Sequence, residues 1–251
     1  MKEMPHPLRM VLELMKASLH SESPSTTLFE NVTPQEWKEC AQLASKQGVL
    51  VLAWDGVSRL PTNLLPPRKL QISWQLAAEN YEKNYEQYCL VAEELTNLYA
   101  QHGIQTVVLK GVGLSSYYPI PSHREGGDLD LYTYSANPET MTHQEANALA
   151  EKLMEEKGIE IERDHSDKHS NFTYKGVPIE NHHTFLDVKS CELTPIVEKW
   201  LTDNLKPQTV QLTGGRHILI PSDKFNVLFV FYHTAQHYGS GIALHHLYDW
   251  A

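Results

Sequence analysis

The chain contains the stretch Asp128-Leu129-Asp130-Leu131-Tyr132-Thr133-Tyr134, which opens with acidic and apolar residues in strict alternation. Successive side chains of a β-strand point to opposite faces of the sheet, so this period of two predicts a strand. Asp128 and Asp130 would then share one face, and Leu129 and Leu131 the other. Two carboxylates this close together repel each other unless a cation bridges them. Hard divalent ions such as Mg²⁺ favour such carboxylate oxygens.

A third carboxylate on a neighbouring strand would complete a cation site of this kind. Glu180 is the best candidate because residues 177–183 also predict a strand, and Asp187 is the second choice. Two divalent ions about 3.5–4 Å apart can stabilise both the attacking and the leaving oxygen of a phosphoryl or nucleotidyl transfer. The sequence therefore predicts a metal site built from Asp128, Asp130 and Glu180.

A glycine-containing turn precedes the acidic strand. Residues 104–109 are a short β-branched run that predicts a buried strand, and a short helix is predicted over residues 114–118. The turn between them would place backbone N–H groups and a helix N-terminus near the strand ends, which suits phosphate oxygens. Glycines there permit close approach of the backbone. The candidate phosphate contacts are Lys110, Gly111, Gly113, Ser115 and Arg124.

These motifs together resemble a known superfamily. Leu109-Lys110-Gly111, Arg124 and Gly127-Asp128-Leu129-Asp130-Leu131 look like the nucleotidyltransferase superfamily of DNA polymerase β. Within it, the pattern is similar to a bacterial nucleotidyltransferase family with a Leu-Lys-Gly, Arg, Gly-Asp-(Ile/Leu)-Asp-Leu signature. That family also has an acidic residue and a histidine two apart on a later strand, as in Glu180 and His182. Its helical C-terminal part carries histidines and an aspartate, which His233, His237 and Asp249 resemble.

The resemblance implies an α+β fold with a mixed sheet, flanking helices, and helical N-terminal and C-terminal parts. It implies a nucleoside triphosphate such as ATP as substrate and Mg²⁺ as cofactor, with two ions expected and Mn²⁺ as the alternative. Asp128 and Asp130 would be metal ligands, with Glu180 the third carboxylate. The implied reaction moves a nucleoside monophosphate to a hydroxyl or phosphate of an acceptor that the sequence does not identify. The candidate acceptor contacts are His182, His233 and His237.

Three regions are expected along the chain: a helical N-terminal region, the nucleotidyltransferase core, and a C-terminal hairpin with helices. Their expected bounds are 1–102, 103–190 and 191–251. Thr33-Pro34-Gln35-Glu36 is a capping box that predicts a helix starting at Pro34. Asn137-Pro138 predicts the start of another helix, extending to about Lys157. The last helical pattern is still running at Trp250-Ala251, which suggests a fragment of a longer protein.

Composition excludes several classes of function. The net charge of −10 argues against binding of bulk nucleic acid, because such proteins neutralise phosphates with a basic surface. No apolar run approaches the roughly 20 residues that span a bilayer, so no membrane partner is expected. The three cysteines are far apart and odd in number, which predicts no disulfide framework and favours a cytoplasmic location.

Two alternatives remain open at this point. The first is a non-catalytic protein that binds or senses a nucleotide on the same fold. The second is a hydrolase with a histidine-bound metal, because His233 and His237 are four residues apart on a predicted helix, a spacing typical of metal ligands. Thr234 stands where a zinc-protease helix would carry glutamate, so that particular class is excluded.

Overall fold

The computed structural model describes residues 4–163, 168–236, 238–239 and 241–250. Helices form the first and the last parts of the chain, and a sheet with its own helices lies between them. The helices are α1 (His6–His20), α2 (Pro34–Lys46), α3 (Leu50–Val57), α4 (Arg68–Ala100), α5 (Val112–Ser115), α6 (His143–Glu155), α7 (Thr194–Asp203), α8 (Asp223–Gln236) and α9 (Leu244–Trp250). The strands are β1 (Ile104–Val108), β2 (Leu129–Ser135), β3 (Glu162–Arg163), β4 (His169–Tyr174), β5 (Val177–His182), β6 (Gln208–Gln211) and β7 (His217–Ile220).

One helix of the N-terminal part, α2, begins where local capping chemistry predicts. Thr33 and Glu36 form the reciprocal hydrogen bonds of a capping box, so the prediction that α2 starts at Pro34 is confirmed. The long α4 carries the chain from this helical part to β1 and packs on that strand. Within the part of the chain that the structure describes, no helix is both long and apolar enough to cross a membrane.

The central sheet has five strands in the order β1-β2-β5-β4-β3. β2 runs parallel to β5, whereas the pairs β1–β2, β5–β4 and β4–β3 are antiparallel. The sheet is therefore mixed, and the prediction of an α+β fold with flanking helices is confirmed. β6 and β7 form a separate two-stranded hairpin, as the sequence predicts for this region.

Helices cover both faces of the sheet, which explains why β2 is buried on both sides. Leu129 and Leu131 pack into one core together with α4 and α6. Tyr132, on the opposite face, packs into another core with aromatic residues of α8 such as Phe225 and Phe229. Asp130 shares the face of Tyr132, so its carboxylate points toward the side of the sheet that α8 covers.

Two predicted boundaries were wrong. The helix expected from Asn137-Pro138 begins instead at His143, because Thr142 and Glu145 form a second capping box. The Asn137 side chain accepts a hydrogen bond from the Glu139 N–H in the preceding turn. The helix expected over residues 114–118 covers Val112–Ser115.

Candidate functional site

The parallel pairing of β2 with β5 brings two acidic residues side by side. Asp130 is in register with Glu180, so both side chains emerge from the same face of the sheet. Asp130 is only 1% exposed, whereas Glu180 is partly open to the cavity beside it. The structure thus brings together two of the three carboxylates predicted as metal ligands.

His182 lies directly against this pair. Its Nε2 is 2.9 Å from Asp130 Oδ1 and 3.4 Å from Glu180 Oε2, and the ring is fully buried. Its Nδ1 lies 3.2 Å from the carbonyl oxygen of Thr184, a geometry in which Nδ1–H donates to that carbonyl. This contact orients the ring so that Nε2 faces the carboxylates. The structure therefore places His182 inside the acidic cluster.

Lys110 supplies the positive charge closest to the cluster. Its ammonium donates to Asp130 Oδ1 at 2.7 Å. Burial favours the neutral form of Asp130, yet the charge of Lys110 and the hydrogen bond from His182 hold the pKa of Asp130 well below its usual range. Burial likewise opposes the charge of Lys110, but the carboxylates of Asp130 and Asp128 raise its pKa. The two groups remain an ion pair in the folded protein.

Asp128 stands beside the cluster, immediately before β2. Burial raises the pKa of Asp128 to about 6, and the neighbouring charge of Asp130 adds to this effect. The hydrogen bond with His182 lowers the pKa of Glu180. Because like charges crowd this corner of the sheet, a divalent cation would relieve their repulsion.

The donor set is suited to a metal ion. Candidate ligand atoms of Asp130, Glu180 and His182 all lie within 4.8 Å of one another. Asp130 Oδ2 is buried and has no hydrogen-bond partner among the described residues. A buried carboxylate oxygen without a partner is costly, and a cation is one way to satisfy it. Asp187, the second choice for third carboxylate, lies outside this group and accepts a hydrogen bond from the Lys189 N–H.

The glycine turn after β1 differs in detail from the expected phosphate cradle. Gly111 has φ +55° and its backbone lies against the Asp128 carbonyl, so a side chain there would be strained. The N–H groups of Gly113 and Leu114 already donate to the carbonyls of Lys110 and Gly111. The α5 segment is also too short to act as a helix dipole.

Gly113 and Ser115 support the turn through packing on β1 and through hydrogen bonds. A Cβ atom on Gly113 would lie 2.6 Å from the Val108 carbonyl oxygen, so glycine is needed for close packing on the end of β1. The buried Ser115 hydroxyl donates to the Val112 carbonyl and shares a hydrogen bond with Tyr85. Both residues thus hold the turn in place.

Arg124 is held by a carboxylate of the C-terminal helix. Its Nε and Nη2 donate to the two oxygens of Asp249, and the Tyr118 hydroxyl donates to the same carboxylate. Its Nη1 lies near the backbone of Gly111 and Gly126, at the rim of the cavity. Sequence reasoning found Arg124 but not the ion pair that orients it.

A cavity of about 510 Å³ opens above these residues. Its acidic wall contains Asp128, Asp130 and Glu180, and Lys110, Gly111 and Arg124 also line it. Residues of α8 and α9 also line the cavity, among them His233, Thr234, His245 and His246. Of the predicted acceptor contacts, His233 therefore faces the cavity, and His237 lies outside the described residues.

Sequence reasoning missed Lys168, which also lines this cavity. Burial lowers the pKa of Lys168, and the charge of Lys110 contributes to the same effect. Lys168 immediately precedes β4, whose first residue His169 pairs with His182 on β5. A lysine at a strand end carries no distinctive local signal, so only the antiparallel pairing of β4 with β5 could have revealed it.

The comparison with known protein families agrees with the motifs. The model of a family described as "Uncharacterised nucleotidyltransferase" matches residues 33–251. No curated protein matches the chain significantly. Among solved structures, the fold is similar to the crystal structure of an antigenic nucleotidyltransferase-like protein from Paracoccidioides brasiliensis. That likeness has 14% sequence identity and a TM-score of 0.45, and covers 66% of this chain and 74% of the other.

Proposed function

Because the chain belongs to the uncharacterised nucleotidyltransferase family whose model its residues 33–251 match, we propose that it transfers a nucleoside monophosphate from a nucleoside triphosphate to an acceptor hydroxyl or phosphate. One observation carries the proposal. The register of β2 with β5 sets Asp130 beside Glu180, with Asp128 at the same cavity wall. This is the arrangement of acidic groups that metal-assisted nucleotidyl transfer requires.

Asp128, Asp130 and Glu180 would hold the divalent cations, for which Mg²⁺ and Mn²⁺ are the candidates. When bound, such cations lower the pKa of the acceptor oxygen and neutralise the leaving pyrophosphate. The protein's own contribution is to fix these carboxylates on adjacent strands of a covered sheet. Positioning and charge stabilisation would supply most of the rate gain.

The nucleotide would enter over the turn after β1. Lys110, Gly111 and Arg124 line this side of the cavity, and Arg124 presents Nη1 at its rim. Lys168 adds a further cation to the same cavity. We propose that these cations contact the triphosphate, while Gly113 and Ser115 act by holding the turn in position.

The acceptor would approach along the residues that α8 and α9 contribute to the cavity. His233 and Thr234 of α8 and His245 and His246 of α9 supply polar groups there. These groups could orient a hydroxyl without adding the positive surface that nucleic-acid binding requires. The chain as a whole carries a net charge of −10, which is consistent with a small or non-nucleic acceptor.

A nucleotide-sensing protein without turnover is the second candidate. Lys110 is paired with Asp130, and Arg124 is paired with Asp249. The two cations nearest the glycine turn are thus already neutralised within the protein. This favours nucleotide binding that is weaker than in an enzyme with free cations and that has a regulatory role.

The test uses nucleoside triphosphates labelled at the α or the γ phosphate, with Mg²⁺ or Mn²⁺ and cell extract. Nucleotidyl transfer predicts a macromolecular or small-molecule product that retains the α label but not the γ label. The product should be absent with the double variant Asp128→Ala plus Asp130→Ala and unchanged with Asp203→Ala, which alters an exposed carboxylate on α7. Equal labelling by wild type and double variant would end the proposal. Cation-dependent nucleotide binding without turnover would select the sensing role.

A further inference from the structure

The acidic cluster contains one nitrogen donor. His182 Nε2 is 2.9 Å from Asp130 Oδ1, and it belongs to the group of ligand atoms within 4.8 Å of one another. The ring is fully buried and is oriented from behind by the Thr184 carbonyl. A bound metal would take the place of the proton that Nε2 shares with Asp130, while Nδ1–H goes on donating to that carbonyl, so Nε2 would supply its lone pair to the cation.

A second observation points independently to a ligand. Asp130 Oδ1 already receives Lys110 and lies against His182, whereas Oδ2 of the same buried carboxylate has no partner among the described residues. A histidine present only to hydrogen-bond Asp130 would leave that second oxygen unexplained. A cation bound by Oδ2, Glu180 and His182 would satisfy it.

We propose that His182 is a direct ligand of the cation, together with Asp130 and Glu180, and that the site therefore selects a first-row transition ion over Mg²⁺. Mg²⁺ favours oxygen ligands and retains waters, whereas imidazole binds first-row transition ions well. Two carboxylates and one imidazole thus form a mixed set in which Mn²⁺ gains a bond that Mg²⁺ forms poorly. The inference rests on the metal site of the proposed function, but it concerns binding alone.

The test measures the cation without any nucleotide. Mn²⁺ is added to the full chain, and pulsed electron paramagnetic resonance detects coupling of the Mn²⁺ electrons to a directly bound nitrogen. The coupling should be present in wild type and should change when the protein is labelled with ¹⁵N-histidine. It should be lost in His182→Gln and retained in His169→Asn. The second variant is the matched control, because His169 Nε2 lies 3.7 Å from Glu180 Oε1 and its ring lies beside that of His182.

Calorimetric titration provides the second readout. The dissociation constant of Mg²⁺ divided by that of Mn²⁺ measures the preference for Mn²⁺. This quotient should be at least about 10-fold smaller in His182→Gln than in wild type. An unchanged ratio would overturn the selectivity. Mn²⁺ that binds wild type without nitrogen coupling, or coupling that survives in His182→Gln, would overturn the ligand assignment.

The isotope experiment on wild type can still refute the proposal if His182→Gln does not fold, because absence of histidine nitrogen coupling would by itself exclude His182 as a ligand. Failure of this inference is also distinct from failure of the proposed function. Nitrogen coupling without nucleotidyl transfer would leave His182 a ligand in a protein that is not a transferase. Nucleotidyl transfer by a protein whose cation shows no nitrogen coupling would support the proposed function and refute the assignment of His182 as a ligand.

Discussion

Arg124 and Asp249, 125 residues apart in the chain, form a buried two-point ion pair. The distances are 2.9 Å from Nε to Oδ1 and 2.7 Å from Nη2 to Oδ2, and both side chains are 8% exposed. The pair fastens α9 to the loop that precedes β2. Because that loop leads directly into Asp128, the last helix of the described chain helps to shape the cavity.

Replacement of Asp249 by alanine should destabilise the protein strongly. The change leaves the Arg124 guanidinium buried and without its carboxylate, which typically costs about 3–5 kcal/mol. Urea unfolding followed by circular dichroism would measure the free energy of unfolding. Asp203→Ala is the control, since its ion pair with Lys199 is exposed and should contribute less than about 1 kcal/mol. Similar small losses for both variants would contradict the role assigned to the buried pair.

Gly113→Ala should disturb the turn that carries Lys110. The new Cβ would lie 2.6 Å from the Val108 carbonyl oxygen, and a backbone atom of a buried strand cannot easily move away. Overpacking of this kind costs about 1–3 kcal/mol, which chemical unfolding would detect. At Gly127 an added Cβ meets no atom within 4 Å, so Gly127→Ala should change stability by less than about 0.5 kcal/mol. Equal effects at the two positions would refute the packing argument.

His123 should make stability depend on pH. Its two ring nitrogens lie 2.9 Å from carboxylate oxygens of Asp55 and Glu82. Burial opposes its charge, but the hydrogen bonds to Asp55 and Glu82 raise its pKa above the ordinary value. A raised folded-state pKa gives stabilisation that is fully present below the unfolded pKa of about 6.5 and is lost as pH rises through the folded value.

The measurement compares wild type with His123→Gln by urea unfolding across the range from about pH 6 to pH 9. The stability advantage of wild type should shrink as pH rises, because the neutral ring no longer donates to both carboxylates. A difference that stays constant across this range, or grows with pH, would show that protonated His123 does not clamp α3 to α4.

Thr142→Ala should weaken α6. The Thr142 hydroxyl accepts from the Glu145 N–H, and the Glu145 carboxylate accepts in return from the Thr142 N–H. Loss of an N-cap of this type costs about 0.5–2 kcal/mol, again measured by chemical unfolding. Thr33→Ala removes the equivalent cap of α2 and serves as the positive control. Loss of stability at Thr33 but not at Thr142 would mean that α6 does not depend on its cap.

Local patterns predicted most of the elements, and competing local patterns caused the errors. The alternation at residues 128–134 and the capping box at Thr33 gave a strand and a helix near their observed positions. Asn137-Pro138 also has the residue types of a helix start. Five residues later, however, Thr142 and Glu145 form a capping box like the one at Thr33. Where two short capping signals compete, the packing of α6 against β2 decides which residue starts the helix. That tertiary contact cannot be recognised in a short stretch of sequence.

The candidate site was predictable to the extent that its chemistry lies within one segment. Asp128 and Asp130 follow from the strand period, and Glu180 follows from the need for a third carboxylate. The contact of His182 with Asp130 depends on which strands are neighbours and on their register. Lys168 and the partner of Arg124 likewise come together only through tertiary structure. Such pairings join distant segments and leave no periodic trace in the sequence.

The parallel neighbours β2 and β5 also have a thermodynamic consequence. Parallel strands need a long crossover, and here residues 136–176, with α6, β3 and β4, complete it. A slip of one residue in either strand would turn Asp130 and Glu180 to opposite faces. An ion that requires both carboxylates can therefore bind only the correctly assembled sheet. By mass action its occupancy would stabilise that sheet, so bound metal would raise the free energy of unfolding of the assembled protein.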